Sequence, residues 1–137
     1  MKVCAIEIKS NKIIFVVLEK DSNNQITEST GKVKSIILDD DHNHSQVIDC
    51  IETIHSHFNS LEVDKIVILS RSSKGQFSSS GISFKLEGFI QAYKNKPVEF
   101  VSPKTLSAFY KKNTFGITPQ FSYQSDASKL GYYILNS

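Results

Sequence analysis

The chain has 137 residues, a formal net charge of +2, 39% hydrophobic residues and 22% charged residues. That length suits one domain, residues 1–137, able to bury about two-thirds of its unfolded surface, and the small net charge does not by itself imply nucleic acid. No stretch approaches the ~18 apolar residues of a membrane span, and the run after Lys2 is too short for a signal peptide, so a cytoplasmic, non-membrane protein is expected.

The first strand, Lys2 to Lys9, is almost wholly apolar, with Val3, Cys4, Ala5, Ile6 and Ile8. A strand apolar on both faces belongs at the centre of a sheet, covered on both sides. Glu7 is the one carboxylate in it, and a buried charge costs several kcal/mol unless it is paired or ligated. Two readings stand: a strand-end Glu7 meeting Lys9 or Lys12, or a functional carboxylate. Ser10-Asn11 makes a short polar turn before a second apolar run, Ile13 to Leu18, so the two runs form a hairpin. Asp21-Ser22-Asn23-Asn24 is the next turn, and Gln25 to Leu38 is expected as a third antiparallel strand, with Gly31 as a bulge or bend.

Val47, Cys50, Ile51, Ile54 and Phe58 then fall at helical spacing, with Asn43 or Ser45 as N-cap. All four histidines (His42, His44, His55, His57) cluster around this helix beside Asp39-Asp40-Asp41. The two histidine pairs stand about 15 Å apart along a helix rising 1.5 Å per residue, so polar helix ends explain them better than one metal site. Cys4 and Cys50 lie in no C-x-x-C pair and read as buried, reduced thiols.

Val63 to Leu69 is a dense apolar run after a helix, which reads as a buried parallel strand. Ser70 to Gly81 follows, small, polar and basic, with Arg71 and Lys74. Ligands in open α/β sheets bind beyond the carboxyl ends of strands, and such a loop can hold phosphate through backbone N–H groups and charge. It is not a P-loop, because G-x-x-x-x-G-K-[ST] is absent. Leu86, Phe89, Ile90 and Tyr93 mark a second helix, and Pro97 to Val101 the fifth strand. Ser102-Pro103 caps and opens a third helix. A loop with Gly116 and Pro119 leads to a closing helix from Ser122 to about Leu135, with Asp126 near its start.

Charge is unevenly spread. Residues 1–59 carry six Lys and nine Asp/Glu, and residues 60–112 carry nine Lys/Arg and four Asp/Glu. The middle third is thus a candidate basic face, with Arg71, Lys74, Lys85 and Lys104 as candidate phosphate contacts.

Three antiparallel strands followed by alternating helix and strand, then a last helix, is the ribonuclease-H-like order: an α/β fold with a five-stranded mixed sheet and helices on both faces. Lys2-Val3-Cys4 with Glu7-Ile8-Lys9, Lys74-Gly75 with Phe77, Phe84-Lys85-Leu86-Glu87 and Ser102-Pro103 resemble the bacterial domain-of-unknown-function 3010 family, itself similar to RuvC-type Holliday junction resolvases. The resemblance implies a metal site built on Glu7 in strand one, on a strand-four carboxylate, and on two acids three residues apart in the last helix. Ser70 stands at the strand-four position, where family members usually have Glu. Asp126 matches the first helix acid and Lys129 stands at the second, while mid-helix Glu87 is a candidate substitute.

Two divalent cations need several carboxylates, so the resemblance implies a degenerate site. The expectation is a nucleic-acid-binding domain whose groove carries Glu7, Ser70 and Asp126. The first alternative is a nuclease on structured DNA using Mg²⁺ or Mn²⁺ at Glu7 and Asp126, with Lys129 assisting catalysis. The second is a protein-interaction domain, with Phe77, Phe115, Phe121, Tyr123, Tyr132 and Tyr133 as candidate contacts and a homodimer as a candidate state.

Overall fold

A computed structural model describes residues 1–70 and 81–137. The elements follow the predicted order. Strands β1 (Lys2–Lys9) and β2 (Lys12–Lys20) are followed by two short strands, β3 (Ile26–Glu28) and β4 (Ser35–Ile37). Helix α1 (His44–Ser60), β5 (Lys65–Leu69), α2 (Gly81–Gln91), β6 (Val98–Val101), α3 (Pro103–Tyr110) and α4 (Ser125–Asn136) complete the chain, with a single 3₁₀ turn at Ser122–Gln124 before α4.

The sheet runs β3-β2-β1-β5-β6, with β4 also paired to β2. Strand β1 is antiparallel to β2 and parallel to β5, and β6 is parallel to β5. The sheet therefore has six strands where five are expected. The segment read as one third strand is two, because the chain leaves the ladder between them. Gly31 turns there with φ of 78°, a conformation open to glycine at little cost. Buried N–H groups of β2 are satisfied without a continuous partner: Val17 N donates to Thr30 Oγ1 at 3.1 Å and Phe15 N to the Lys34 carbonyl at 2.9 Å.

The alternation of a pleated strand divides the core into two layers. Cys4, Ile6, Ile8, Phe15, Val17, Ile66 and Ile68 pack under Ile54 and Phe58 of α1 and Leu86 and Ile90 of α2. On the other face Val3, Val16 and Leu18 meet Ala127 and Leu135 of α4, and Ala5 and Val67 meet Leu106 of α3 and Leu130 of α4. Both cysteines are free and buried; desolvation pushes the Cys4 thiol up to about 12 and raises that of Cys50, so both stay protonated.

Local chemistry sets the helix starts. Asn43 Oδ1 accepts from Gln46 N at 3.1 Å, and Ser102 Oγ accepts from Thr105 N at 3.1 Å with Pro103 just inside the helix. Ser10, at φ 55°, makes the two-residue hairpin turn with Asn11. Its carbonyl accepts from Ser83 Oγ at 2.7 Å, and Asn11 Nδ2 donates to the Leu38 carbonyl at 3.2 Å.

Helix α4 lies close on the sheet at Gly131, where an added Cβ would stand 2.9 Å from Leu18 Cδ1 and 3.3 Å from Ala5 Cβ. Gly131→Val should therefore lose about 1–3 kcal/mol of unfolding free energy through overpacking. A urea titration checks this, and an unchanged midpoint would show that α4 is not seated on β1 at this point.

Candidate functional site

Glu7 is 8% exposed. It shares the pleat of Val3 and Ala5, so it belongs to the sheet face covered by α3 and α4. The parallel register pairs Ile6 with Ile68, which sets Glu7 at the level of Leu69. Leu69 lines a cleft of about 290 Å³ beyond the carboxyl end of β5, together with Pro103, Leu106, Tyr110, Asp126 and Lys129. Three sequence-predicted residues thus gather at one end of one sheet face: Glu7 within the strand, and Asp126 and Lys129 on the wall of the cleft. Residues three apart on a helix are neighbours on its surface, which is why Asp126 and Lys129 line the same cleft. Asp126 is exposed in the first turn of α4, where the helix dipole favours an acid.

Ser70 ends β5. Its amide donates to the Val101 carbonyl at 2.8 Å and its hydroxyl to the same oxygen at 3.2 Å. The strand-four position therefore carries a hydroxyl committed to the sheet. Lys129 is held by its backbone, because Tyr110 Oη donates to its carbonyl at 2.6 Å. Its ammonium stands 6.0 Å from the Phe115 ring centroid, and among the described residues it makes no ion pair. Burial, and then the neighbouring Tyr132, drive the Tyr110 phenol upward, so it remains a donor. The tie from Tyr110 to Lys129 spans 19 residues and leaves no local signal in the sequence.

The candidate basic residues do not gather in the same way. Lys104 is exposed on α3, on the side of the cleft. Lys85 is on α2, which covers the opposite face, and its ammonium pairs with Asp41 Oδ2 at 3.0 Å. Glu87 is on that same helix and so also lies on the far side of the sheet from the cleft. Lys65 of the basic middle third pairs with Glu99 at 3.2 Å. Arg71, Lys74 and Phe77 lie outside the described residues.

The histidines disperse as their spacing implies. His55 Nε2 meets the Phe89 carbonyl at 2.7 Å, and His57 stands edge-on to Phe15 with centroids 5.0 Å apart. Only His42 joins the acids: ligand atoms of Asp40, Asp41 and His42 lie within 4.8 Å of one another. A turn explains that group, since His42 N donates to Asp40 Oδ1 at 3.0 Å while Asp41 is engaged by Lys85. A larger groove of about 660 Å³ runs along α1 past Asp49, Glu52 and His57, and none of the candidate site residues lines it.

Residues 1–134 match the family described as Protein of unknown function (DUF3010). The chain belongs to that family. No curated protein matches it significantly in sequence. Among solved structures, the DUF3010 chain is similar to RuvC of Thermus thermophilus in complex with a Holliday junction substrate, at 11% identity and a TM-score of 0.71, covering 96% of this chain and 91% of that one. It is also similar to the fowlpox virus Holliday junction resolvase, at 13% identity and 0.54, covering 99% of each chain. The yeast mitochondrial Holliday junction resolvase matches at 13% identity and 0.55, over 93% of this chain and 62% of its own. At such identities the likeness is one of fold, the RuvC-like, ribonuclease-H-like fold.

The hydrogen bond from Lys85, with the ammonium's charge second to it among the attractive effects, holds the Asp41 carboxyl below its ordinary range. A depressed acid stabilises the fold above its unfolded pKa and loses that contribution as pH falls through the folded value. Carboxyl-carbon NMR titration should show Asp41 ionising below the free-aspartate range, and Lys85→Ala should move it back up toward that range. An unchanged Asp41 titration in that variant would mean Lys85 does not hold it.

Proposed function

We propose that residues 1–137 form one nucleic-acid-binding domain that keeps the ribonuclease-H-like fold around a reduced metal site. The observation that supports this most is the convergence of Glu7, Asp126 and Lys129 at the carboxyl end of β1 and β5, on the face covered by α3 and α4. Ligands bind at that end of open α/β sheets because loops, helix ends and unpaired strand termini meet there. Lys104, with Arg71 and Lys74 from outside the described residues, would meet phosphates. Lys85 stands apart from them, on the opposite face of the sheet and paired with Asp41.

A divalent cation suits part of this set. Two cations about 4 Å apart require several carboxylates to neutralise and position them. Ser70 presents a committed hydroxyl in place of one acid and Lys129 an ammonium in place of another, so the residues do not fit a cation pair. A lysine there removes a ligand and adds repulsion. Glu7 and Asp126 fit at most one Mg²⁺ or Mn²⁺ completed by water, as hard cations with few protein carboxylates are held.

The second reading is a metal-dependent nuclease on branched DNA. It is favoured by the retention of Glu7 and Asp126 and by the substrate named for the Thermus thermophilus relative. Two measurements separate the readings. Fluorescence anisotropy on a four-way junction and on a plain duplex should show affinity falling steeply with salt, as phosphate neutralisation requires; no binding, or binding insensitive to salt, overturns the domain's assignment to nucleic acid. Calorimetric titration of Mn²⁺ should show at most one weak site, lost in Glu7→Ala. Junction cleavage in Mn²⁺ that disappears in Glu7→Ala would replace the binding reading by the nuclease.

A further inference from the structure

An exposed aromatic pair stands beside this site. Phe121 and Tyr123 flank Ser122 just before α4, and their rings stack with centroids 5.7 Å apart and planes 10° from parallel. They are 45% and 39% exposed. Most other aromatic pairs in this protein meet at steep angles, as in Phe15–Phe58, Phe58–Tyr93 and Phe109–Tyr133. That edge-to-face geometry suits a packed core. A flat, solvent-facing stack instead offers a π surface to a planar partner.

The pair is held from below. Phe121 N donates to Gln124 Oε1 at 3.2 Å, and Gln124 N donates back to the Phe121 carbonyl at 3.0 Å. Gln124 is fully buried, and its Nε2 donates to the Phe15 carbonyl of β2 at 3.3 Å. The rings therefore project from a turn fastened to the sheet, so little ordering is left for a ligand to impose.

Two cations complete the patch. Lys12 Nζ stands 5.2 Å from the Tyr123 ring centroid, and Lys34 Nζ 5.9 Å from that of Phe121. Lys12 pairs with Lys9 in the hairpin, two residues past the pair of Glu7 and Ile14. Two residues of strand are about 7 Å, so this patch borders the end of the sheet face that carries Glu7. Glu28 meets the same segment and is already engaged: Thr30 donates to its Oε2 at 2.8 Å, and the Gln120 amide reaches its Oε1 at 3.4 Å.

We propose that Phe121 and Tyr123, with Lys12 and Lys34, form a stacking site for unpaired bases of a single-stranded segment next to the Glu7–Asp126 cleft. An aromatic face takes any base, and the two ammonium groups beside the rings take the flanking phosphates, which is how single strands are held without sequence preference. An uncharged peptide would satisfy the rings but gives no role to the two lysines. The inference rests on the nucleic-acid reading above and names which form of nucleic acid the domain engages.

The test compares a short labelled oligothymidylate with a duplex of equal length. In Phe121→Ala/Tyr123→Ala, single-strand affinity should fall about 10-fold or more, with duplex affinity and the salt slope nearly unchanged. Lys12→Ala should lower the salt slope for the single strand. Because the chain has no tryptophan, Phe121→Trp supplies a single reporter in a variant that keeps an aromatic ring, and its emission should be quenched by the oligothymidylate. Unaltered single-strand affinity in the double alanine variant, or unquenched emission at saturation, overturns the stacking site while leaving duplex or junction binding in place. Loss of a protein partner in the double variant, with single-strand binding intact, overturns it in favour of a protein surface. Absence of binding to every nucleic acid by the wild type overturns the nucleic-acid reading itself, and the stacking site with it.

Discussion

Strand β1 is hydrogen-bonded along both edges and covered on both faces, and the other elements take their places from it. Its antiparallel edge makes the hairpin with β2, its parallel edge receives β5, and its two sets of side chains seed the two core layers. Burial of such a strand removes large apolar area from water, the dominant favourable contribution to folding. It also makes any charge in the strand expensive. Glu7 lies two residues from the strand's end, at the level of Leu69, which lines the cleft. Fold and candidate chemistry thus meet in one eight-residue segment.

Much of this was legible from the residue pattern alone. An apolar run without alternation marks a doubly covered strand, and β1, β2 and β5 all carry one. Asn43, Ser102 and Pro103 announce helix starts because capping is a local interaction between a short polar side chain and the next turn's amides. The position of Asp126 at a helix start and of Glu7 in the central strand followed from the same local signals. Ser70 and Lys129, read as departures from an acidic set, remain departures when their contacts are known.

What could not be read depended on partners distant in sequence. The third strand looks continuous because Ile26, Val33, Ile36 and Ile37 share β-type composition; only the Thr30 hydroxyl standing in for a backbone acceptor shows where the ladder is interrupted. Lys85 looked like a free cation in a basic segment, yet Asp41, 44 residues earlier, takes its charge. Summed charge along a chain says nothing of how helices apportion it between the faces of a sheet. Lys12, which the sequence offers with Lys9 as a partner for Glu7, also stands over an aromatic ring supplied by the far end of the chain.

The Ser10-Asn11 turn has a mechanical meaning beyond joining two strands. Ser10 holds the first turn of α2 through Ser83, and Asn11 holds the chain leaving β4 through Leu38. Two segments that belong to separate parts of the fold are therefore moored to the same two backbone units. A torque applied at the hairpin tip is shared at once between the layer under α1 and α2 and the outer edge of the sheet. The tip that carries Lys9 and Lys12 is on this account a fixed reference point of the molecule, stiff where hairpin ends are ordinarily compliant.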